Sequence, residues 1–457
     1  MTGGTGQVKT SDGCKHDRKG VKSRLANRPL LMANDDQIEL DIDSLCYGRA
    51  ALGRSQGRVV FVEKASPGDR VRARVTKDHG RYLEATLDEI ISPGGHRVEP
   101  PCPLIERCGG CPWQHVDYDQ QLHAKRQAVV DALERIAGID DPDVDEIVAS
   151  PSSFGYRNRL KLRFEHNRLG FYNAGSHRLV PIESCLIAAD DVNAGLAEVE
   201  AFVASLATRA TRVEIASRGE LPGLVVAINS QGRLRRGDTL TIAAFVEAKT
   251  NAVRGVVAWG KGWQRQWGDT RRRFSLGEDA TRVETAGAAF GQVNTEANLA
   301  LVERVTRRED SPGQERVVDL YAGAGNFALP LARHCRGVTA VESSAGAVEA
   351  GKANARSQNI SNVHFRLERV EDFLARVPKR YPDRVIINPP RSGVGAAIAA
   401  LGQWRTPAIT YVSCNPSTLA RDLLTLTNLG YELARVTPFD LFPQSFHVET
   451  VCDLRLT

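Results

Sequence analysis

Five short apolar runs alternate with helical patterns through the C-terminal third of the chain: VVDLYAG from Val317, VTAVES from Val338, VHFRL from Val363, RVIINPP from Arg384 and AITYVSC from Ala408. No other feature limits the chain so tightly. Runs that are apolar on both faces and joined by helical crossovers can be buried only as a parallel sheet with helices on each side. The expected fold class is α/β, with a Rossmann-like doubly wound domain at 286–457. Sheets of this kind bind ligands at the carboxyl ends of their strands, so the residues that close each run are the candidates for function.

The first run turns through Ala322-Gly323-Ala324-Gly325-Asn326 into a helix, where glycines let the backbone approach a ligand. Glu342 closes the second run, where a carboxylate can accept hydrogen bonds from both hydroxyls of a ribose. The dinucleotide fingerprint G-x-G-x-x-G is absent from this turn. An adenosyl cofactor without phosphates fits better, S-adenosylmethionine above all, against the weaker alternative of an ordinary crossover with an incidental acid. Asn388-Pro389-Pro390 alone suggests methylation of a base amino group, but Arg391 stands where such sites carry an aromatic. Cys414, at the end of the fifth run beside the cofactor cleft, is a candidate nucleophile; the plain alternative is a small packing residue.

The N-terminal part has another texture. IELDIDSL, GRVVFVE, DRVRARVTKD and RYLEATLDEII alternate apolar and polar residues between turn signals at Gly53–Gly57, Pro67-Gly68 and His79-Gly80. They predict a small antiparallel β-barrel at 35–92. Nine basic residues (Arg49, Arg54, Arg58, Lys64, Arg70, Arg72, Arg74, Lys77 and Arg81) face Glu63, Asp69 and Asp78 between Arg49 and Arg81. That local excess suggests a phosphate-contacting face, or else an ordinary solvated strand face. A helix is expected near 118–137, with Leu122, Val129, Leu133 and Ile136 on its apolar stripe. A mixed α+β region at 93–285 carries an Arg-rich section at 208–273.

Cys102, Cys108, Cys111 and Cys185 form a C-x5-C-x2-C group with a distant fourth thiol. The chain holds no apolar run long enough for a membrane span and no apolar signal segment. The expected compartment is therefore the cytoplasm, where thiols stay reduced or bind metal. The spacing favours an iron–sulfur cluster over zinc, whose sites usually pair two short knuckles, and over unrelated thiols.

These motifs resemble the RNA uracil-5 methyltransferases. Asn388-Pro-Pro-Arg-Ser-Gly393 followed by Tyr411-Val-Ser-Cys-Asn415 matches one signature of that family, and Phe439-Asp-Leu-Phe-Pro-Gln-Ser-Phe-His-Val-Glu449 matches the other. The likeness takes in Phe290-Gly-Gln292-Val-Asn294, Tyr156-Arg-Asn158 and Cys108-Gly-Gly-Cys-Pro-Trp-Gln-His115, so it covers essentially the whole chain after the tail. It implies methyl transfer from S-adenosylmethionine to C5 of a uridine, with Cys414 as nucleophile and Glu449 as base. Gln292, Tyr321, Gly323, Asn326, Glu342 and Asn388 would contact the cofactor or the target base. The position of Asn388 is Asp in many relatives; an amide can still hydrogen-bond uracil without carrying charge. By the same resemblance, the four cysteines would hold a 4Fe–4S cluster in the central domain, and the barrel would be an OB-like TRAM domain that binds RNA.

The expected partner is structured RNA, ribosomal (23S) RNA before transfer RNA, with the enzyme acting as a monomer without an obligate protein partner. A non-catalytic RNA-binding protein is the alternative; its expected sign, loss of Cys414 or Glu449, is absent. Residues 1–34 read as a disordered basic tail. Seven basic and two acidic residues lie in 1–28; removing them from totals of 60 and 55 leaves 53 of each, so the net charge of +5 belongs to the tail. Met32 is an alternative start.

Overall fold

A computed structural model describes residues 37–457 except 249, 278, 308–312, 377 and 379; the tail and Met32 lie outside the described residues. Five strands, β1 Gln37–Leu45, β2 Ala50–Ser55, β3 Arg58–Glu63, β4 Arg70–Asp78 and β5 Tyr82–Ser92, close into a barrel in the order β1-β2-β3-β5-β4. Two expectations change here. β2 occupies a stretch read as turn because of Gly53, yet the glycine serves the strand: a Cβ there would lie 2.3 Å from the Asp41 carbonyl, beside a bulge in the β1–β2 pairing. The barrel is also not wholly antiparallel, since β3 and β5 run parallel.

The barrel's charge reading is corrected as well. Over 37–92 the chain carries nine basic and nine acidic residues. The counted window omitted β1 and β5, which closure brings beside the arginines. Arg70 and Arg72 meet Glu39, Arg72 also meets Glu89, Arg74 meets Asp88, Arg58 meets Asp78, Arg49 meets Glu63 and Lys64 meets Glu106. Among the described residues, only Arg54, Lys77 and Arg81 of the nine show no carboxylate partner. Near them His79 stacks on Tyr82 with ring centroids 4.3 Å apart, and Phe61 meets Tyr82 edge-on at 5.5 Å.

The helix Tyr118–Ala132 follows, closed by a widened turn, Leu133–Ala137, that faces Ala137 inward and leaves Ile136 40% exposed. Its buried face includes Gln121 and Lys125, which no apolar stripe anticipates. The central sheet contains β6 Arg159–Glu165, β7 Arg168–Tyr172, β8 Leu179–Pro181, β9 Ala210–Ser217, β10 Leu224–Ser230, β11 Val253–Gly260 and β12 Trp263–Gly268, in the order β12-β11-β10-β9-β6-β7-β8. Helices Leu196–Ser205 and Arg236–Glu247 cover one face, burying Phe202, Val203 and Ile242 against Leu162, Val213, Val226 and Val256. A hairpin, β13 Arg271–Ser275 and β14 Arg282–Ala286, follows. Its arginines are structural: Arg271 pairs with Asp269, Arg273 with Glu284, and the fully buried Arg272 donates to the Ser217 carbonyl at 2.9 Å.

The C-terminal sheet contains β15 Arg316–Leu320, β16 Gly337–Glu342, β17 Val363–Leu367, β18 Arg384–Ile387, β19 Ala408–Ser413, β20 Tyr431–Phe439 and β21 Glu449–Leu456. The order is β17-β16-β15-β18-β19-β21-β20, parallel from β17 to β19, with β21 antiparallel to both of its neighbours. This is the expected doubly wound arrangement, with its switch point between β15 and β18. Among the described residues, no helix is long and apolar enough to cross a membrane.

Candidate active site

The chain leaves β15 through Tyr321, held at φ 62° without being glycine, then through Gly323 at φ 57° and Gly325 at φ 101°. Such strain in a non-glycine residue is kept where the surroundings enforce it, commonly at ligand sites. A Cβ on Gly323 would meet nothing within 4 Å, so its backbone stays open to a ligand, whereas one on Gly325 would strike Leu329 at 2.7 Å. A cavity of about 70 Å³ is lined by Gln292, Tyr321, Gly323, Asn326 and Asn388, with Phe274, Phe290 and Asn298. Five of the six expected cofactor residues thus share one cavity. Glu342 ends β16 outside that lining, and its carboxylate accepts from the Gly323 N–H at 3.0 Å and the Ser344 N–H at 2.7 Å. The donor set fits a nucleoside with an amino acid tail: amides, backbone N–H groups, an acid beside the turn and the exposed ring of Phe290.

Cys414 and Glu449 meet through strand register. β19 ends at Ser413, which pairs with Thr450 of antiparallel β21. The next residues outward are therefore Cys414 and Glu449, side by side at the ligand-binding edge. Asn415 caps the helix Pro416–Thr427 by accepting from the Ser417 N–H, and Pro416 takes the first helical position, which needs no donor. The Asn415 amide and the Thr418 hydroxyl both donate to the Arg391 carbonyl, at 3.3 and 3.1 Å, tying the Asn-Pro-Pro-Arg loop to the cysteine loop.

The electrostatics are those of a dry site with one central cation. Burial pushes the Glu449 carboxyl up to about 8, with Arg391 opposing. Burial, followed by the charge of Glu449, raises the Cys414 thiol above its ordinary value, while Arg391 pulls it down. Arg391 donates to His447 Nε2 at 3.3 Å; burial, with Arg391, Lys125 and Arg157 behind it, pushes that imidazole down to about 4, so it is a neutral acceptor at pH 7.

Sequence reasoning missed the residues that hold the segment before Glu449. Lys125 and Asp440 form a fully buried ion pair at 2.6 Å, and Tyr118 donates to the other Asp440 oxygen at 2.9 Å. Gln121 and Gln444 bond reciprocally through side chain and backbone, and Tyr156 donates to the Pro443 carbonyl at 3.1 Å. A lysine and a glutamine at helical spacing give no signal in a sequence, because exposed helix faces carry the same residues.

Cys102, Cys108, Cys111 and Cys185 line a second cavity of about 110 Å³ with Arg157 and Lys161. Burial, then the charges of Cys185, Cys108 and Cys102, pushes the Cys111 thiol up to about 12. Among the described residues, no group of three His, Cys, Asp or Glu side chains is placed to hold a metal ion. Cys14 lies outside the described residues.

A glycine cradle at the switch point of a doubly wound sheet is the architecture of the class I methyltransferases. Residues 270–456 match the tRNA (Uracil-5-)-methyltransferase family, and residues 37–87 match the TRAM domain. An uncharacterized RNA methyltransferase of Thermosynechococcus vestitus is 36% identical, over 91% of this chain and 97% of its own length. The 23S rRNA (uracil(1939)-C(5))-methyltransferase RlmD of Aeromonas hydrophila is 30% identical, over 91% and 95%. The crystal structure of the Pyrococcus abyssi tRNA (uracil-54, C5)-methyltransferase shares the fold, with a TM-score of 0.70 and 24% identity over 91% of this chain and 100% of that one. The chain belongs to the RNA uracil-5 methyltransferase family and is an S-adenosylmethionine-dependent enzyme acting on uracil C5 in RNA.

Proposed function

We propose that this enzyme methylates C5 of a uridine in 23S ribosomal RNA, with Cys414 as covalent nucleophile and Glu449 as base, and that it works as a monomer in the cytoplasm. The observation that supports this reading is the β19–β21 register: Cys414 and the buried Glu449 are the residues that follow its last pair, Ser413 and Thr450. Uracil C5 is too weak a nucleophile to take a methyl group unaided. Addition of the Cys414 thiolate to C6 moves the ring's π electrons onto the C4 carbonyl and makes C5 nucleophilic. S-adenosylmethionine, when bound, supplies the electrophilic methyl group. Glu449 then removes the C5 proton, the C5–C6 double bond re-forms, and the C6–S bond breaks to release Cys414 as thiolate. Arg391 faces both groups and favours the charged form of each.

Ribosomal RNA is favoured by the name of the Aeromonas relative, and the stacked aromatics near Arg54, Lys77 and Arg81 suit single-stranded RNA on the barrel. The family's description, tRNA (Uracil-5-)-methyltransferase, supports transfer RNA as the second reading. Mapping 5-methyluridine in both RNAs, with and without the protein, should show one ribosomal uridine losing its methyl group. A loss confined to transfer RNA would move the assignment there.

The four cysteines are proposed to hold a 4Fe–4S cluster. Four thiols that line one cavity supply the four thiolates that such a cluster takes. The cluster would supply a structural cross-link between the loop 102–111 and Cys185; the methyl transfer needs no electron. Protein purified without oxygen should show the broad visible absorbance of an iron–sulfur centre, lost in Cys111→Ser. A colourless protein carrying stoichiometric zinc would overturn the assignment.

A further inference from the structure

The barrel does more than stand beside the catalytic domain, because the turn between β1 and β2 reaches the nucleophile. Three consecutive residues of that turn make three separate contacts. The Tyr47 hydroxyl donates to the Cys414 carbonyl at 3.1 Å. The Gly48 carbonyl accepts from the indole of Trp113, which is wholly buried, at 3.0 Å. The Arg49 guanidinium donates to the Gly109 carbonyl at 3.0 Å. Gly109 and Trp113 belong to the loop that carries Cys108 and Cys111, and the Trp113 N–H donates onward to the Gln444 carbonyl at 3.3 Å. Barrel turn, cysteine loop and the segment leading to Glu449 are therefore linked by hydrogen bonds, one of which ends on the Cys414 backbone.

Tyr47 has the properties this placement requires. It is half-buried, and its ring meets Phe446 edge-on with centroids 5.6 Å apart; Phe446 lies 4.3 Å from the ring of His447. Burial pushes the phenol up to about 12, with the Cys414 thiol and Glu449 adding and Arg391 opposing. The hydroxyl therefore keeps its proton and remains a donor wherever the enzyme works. A carbonyl accepting a fixed donor cannot rotate freely, and the Cys414 carbonyl belongs to the residue that presents the thiol.

We propose that Tyr47 is a positioning residue of methyl transfer: it holds the Cys414 peptide so that the thiol faces C6 of the uracil, and the catalytic site is complete only when the barrel is seated. The proposal rests on Cys414 being the nucleophile, as argued under Proposed function. A hydroxyl that merely helped to glue two domains together would affect stability and leave the rate of addition alone. One that aims the nucleophile affects that rate, because small misplacements of reacting atoms cost about 10–100-fold.

Tyr47→Phe separates these roles, since it keeps the ring and its contact with Phe446 and removes only the donor. The expected result is a fall of about 10–100-fold in kcat, with RNA affinity and the KM for S-adenosylmethionine unchanged. The same fall should appear in the rate constant for covalent adduct formation, measured in single turnover with Glu449→Gln as the common background. That rate constant, unlike the adduct yield, does not depend on the fraction of protein folded. The pH profile should keep its shape, because the hydroxyl aims a group and does not exchange a proton. Adduct formation at the unmodified rate in Tyr47→Phe would overturn the proposal, as would a rise in KM for RNA with kcat unchanged, which would make Tyr47 an RNA contact. Cys414→Ala tests the underlying reading by itself: turnover surviving in that variant would sink the nucleophile assignment whatever Tyr47→Phe does.

Discussion

Cys414→Ala is expected to lose methyl transfer by at least about 10⁴-fold, because removing the proposed covalent nucleophile removes the whole pathway and not one interaction within it. The variant should also form no RNA adduct that survives denaturation. It should still fold, since the thiol is half-buried and alanine keeps the backbone and the helix cap provided by Asn415. The control uses RNA with 5-fluorouridine at the target. There C5 carries fluorine where the proposed base, Glu449, needs a proton, so the unmodified enzyme should be trapped as an adduct and Cys414→Ala should not. Methylation by the alanine variant at an appreciable rate would mean that C5 is attacked without prior addition at C6.

Glu449→Gln should give the opposite phenotype on ordinary RNA: addition and methylation proceed, the C5 proton stays, and the adduct accumulates. The same variant carries a second, independent signature. Burial pushes this carboxyl from its ordinary value of 4.5 up to about 8 in the folded chain. Below pH 4.5 the group is protonated in both the folded and unfolded states and costs nothing. As pH rises from there, the unfolded state ionises first and gains stability over the fold, until the folded group also ionises near pH 8. The penalty at pH 8 and above is about 4 kcal/mol in order of magnitude. Glutamine never ionises, so Glu449→Gln should melt several degrees above the unmodified protein at pH 8 and together with it near pH 4.5. Turnover of the unmodified enzyme should rise with pH towards 8 for the same reason, since the base must be ionised to act. Equal melting temperatures across this range would show that the carboxyl is ionised in the fold.

Much of this site was legible before any tertiary structure. The cofactor cradle could be read because a glycine turn after an apolar strand is local: Tyr321, Gly323, Asn326 and Asn388 belong to strand ends, and the cavity gathers them with Gln292. Glu342 was identified from the same rule, although here it bonds to the turn's backbone and stands outside the lining. The barrel's charge was misread because a window along the chain counts neighbours in sequence, while closure pairs Arg70 and Arg72 with Glu39 across the seam between β4 and β1. Gly53 misled in the same way, marking a close approach of two strands and not a turn.

Residue chemistry and strand-by-strand periodicity are properties of short segments, so the chain alone carried the doubly wound class, the cysteine group and the separate candidates Cys414 and Glu449. Their meeting is a property of the folded sheet. β21 inserts antiparallel between β19 and β20, and one register, Ser413 opposite Thr450, brings the two residues side by side. The contact of Tyr47 with Cys414 spans 367 residues, and the buried pair of Lys125 and Asp440 spans 315. No local pattern encodes such distances, because a tyrosine in a turn or a lysine on a helix is ordinary until packing removes water and leaves it one partner.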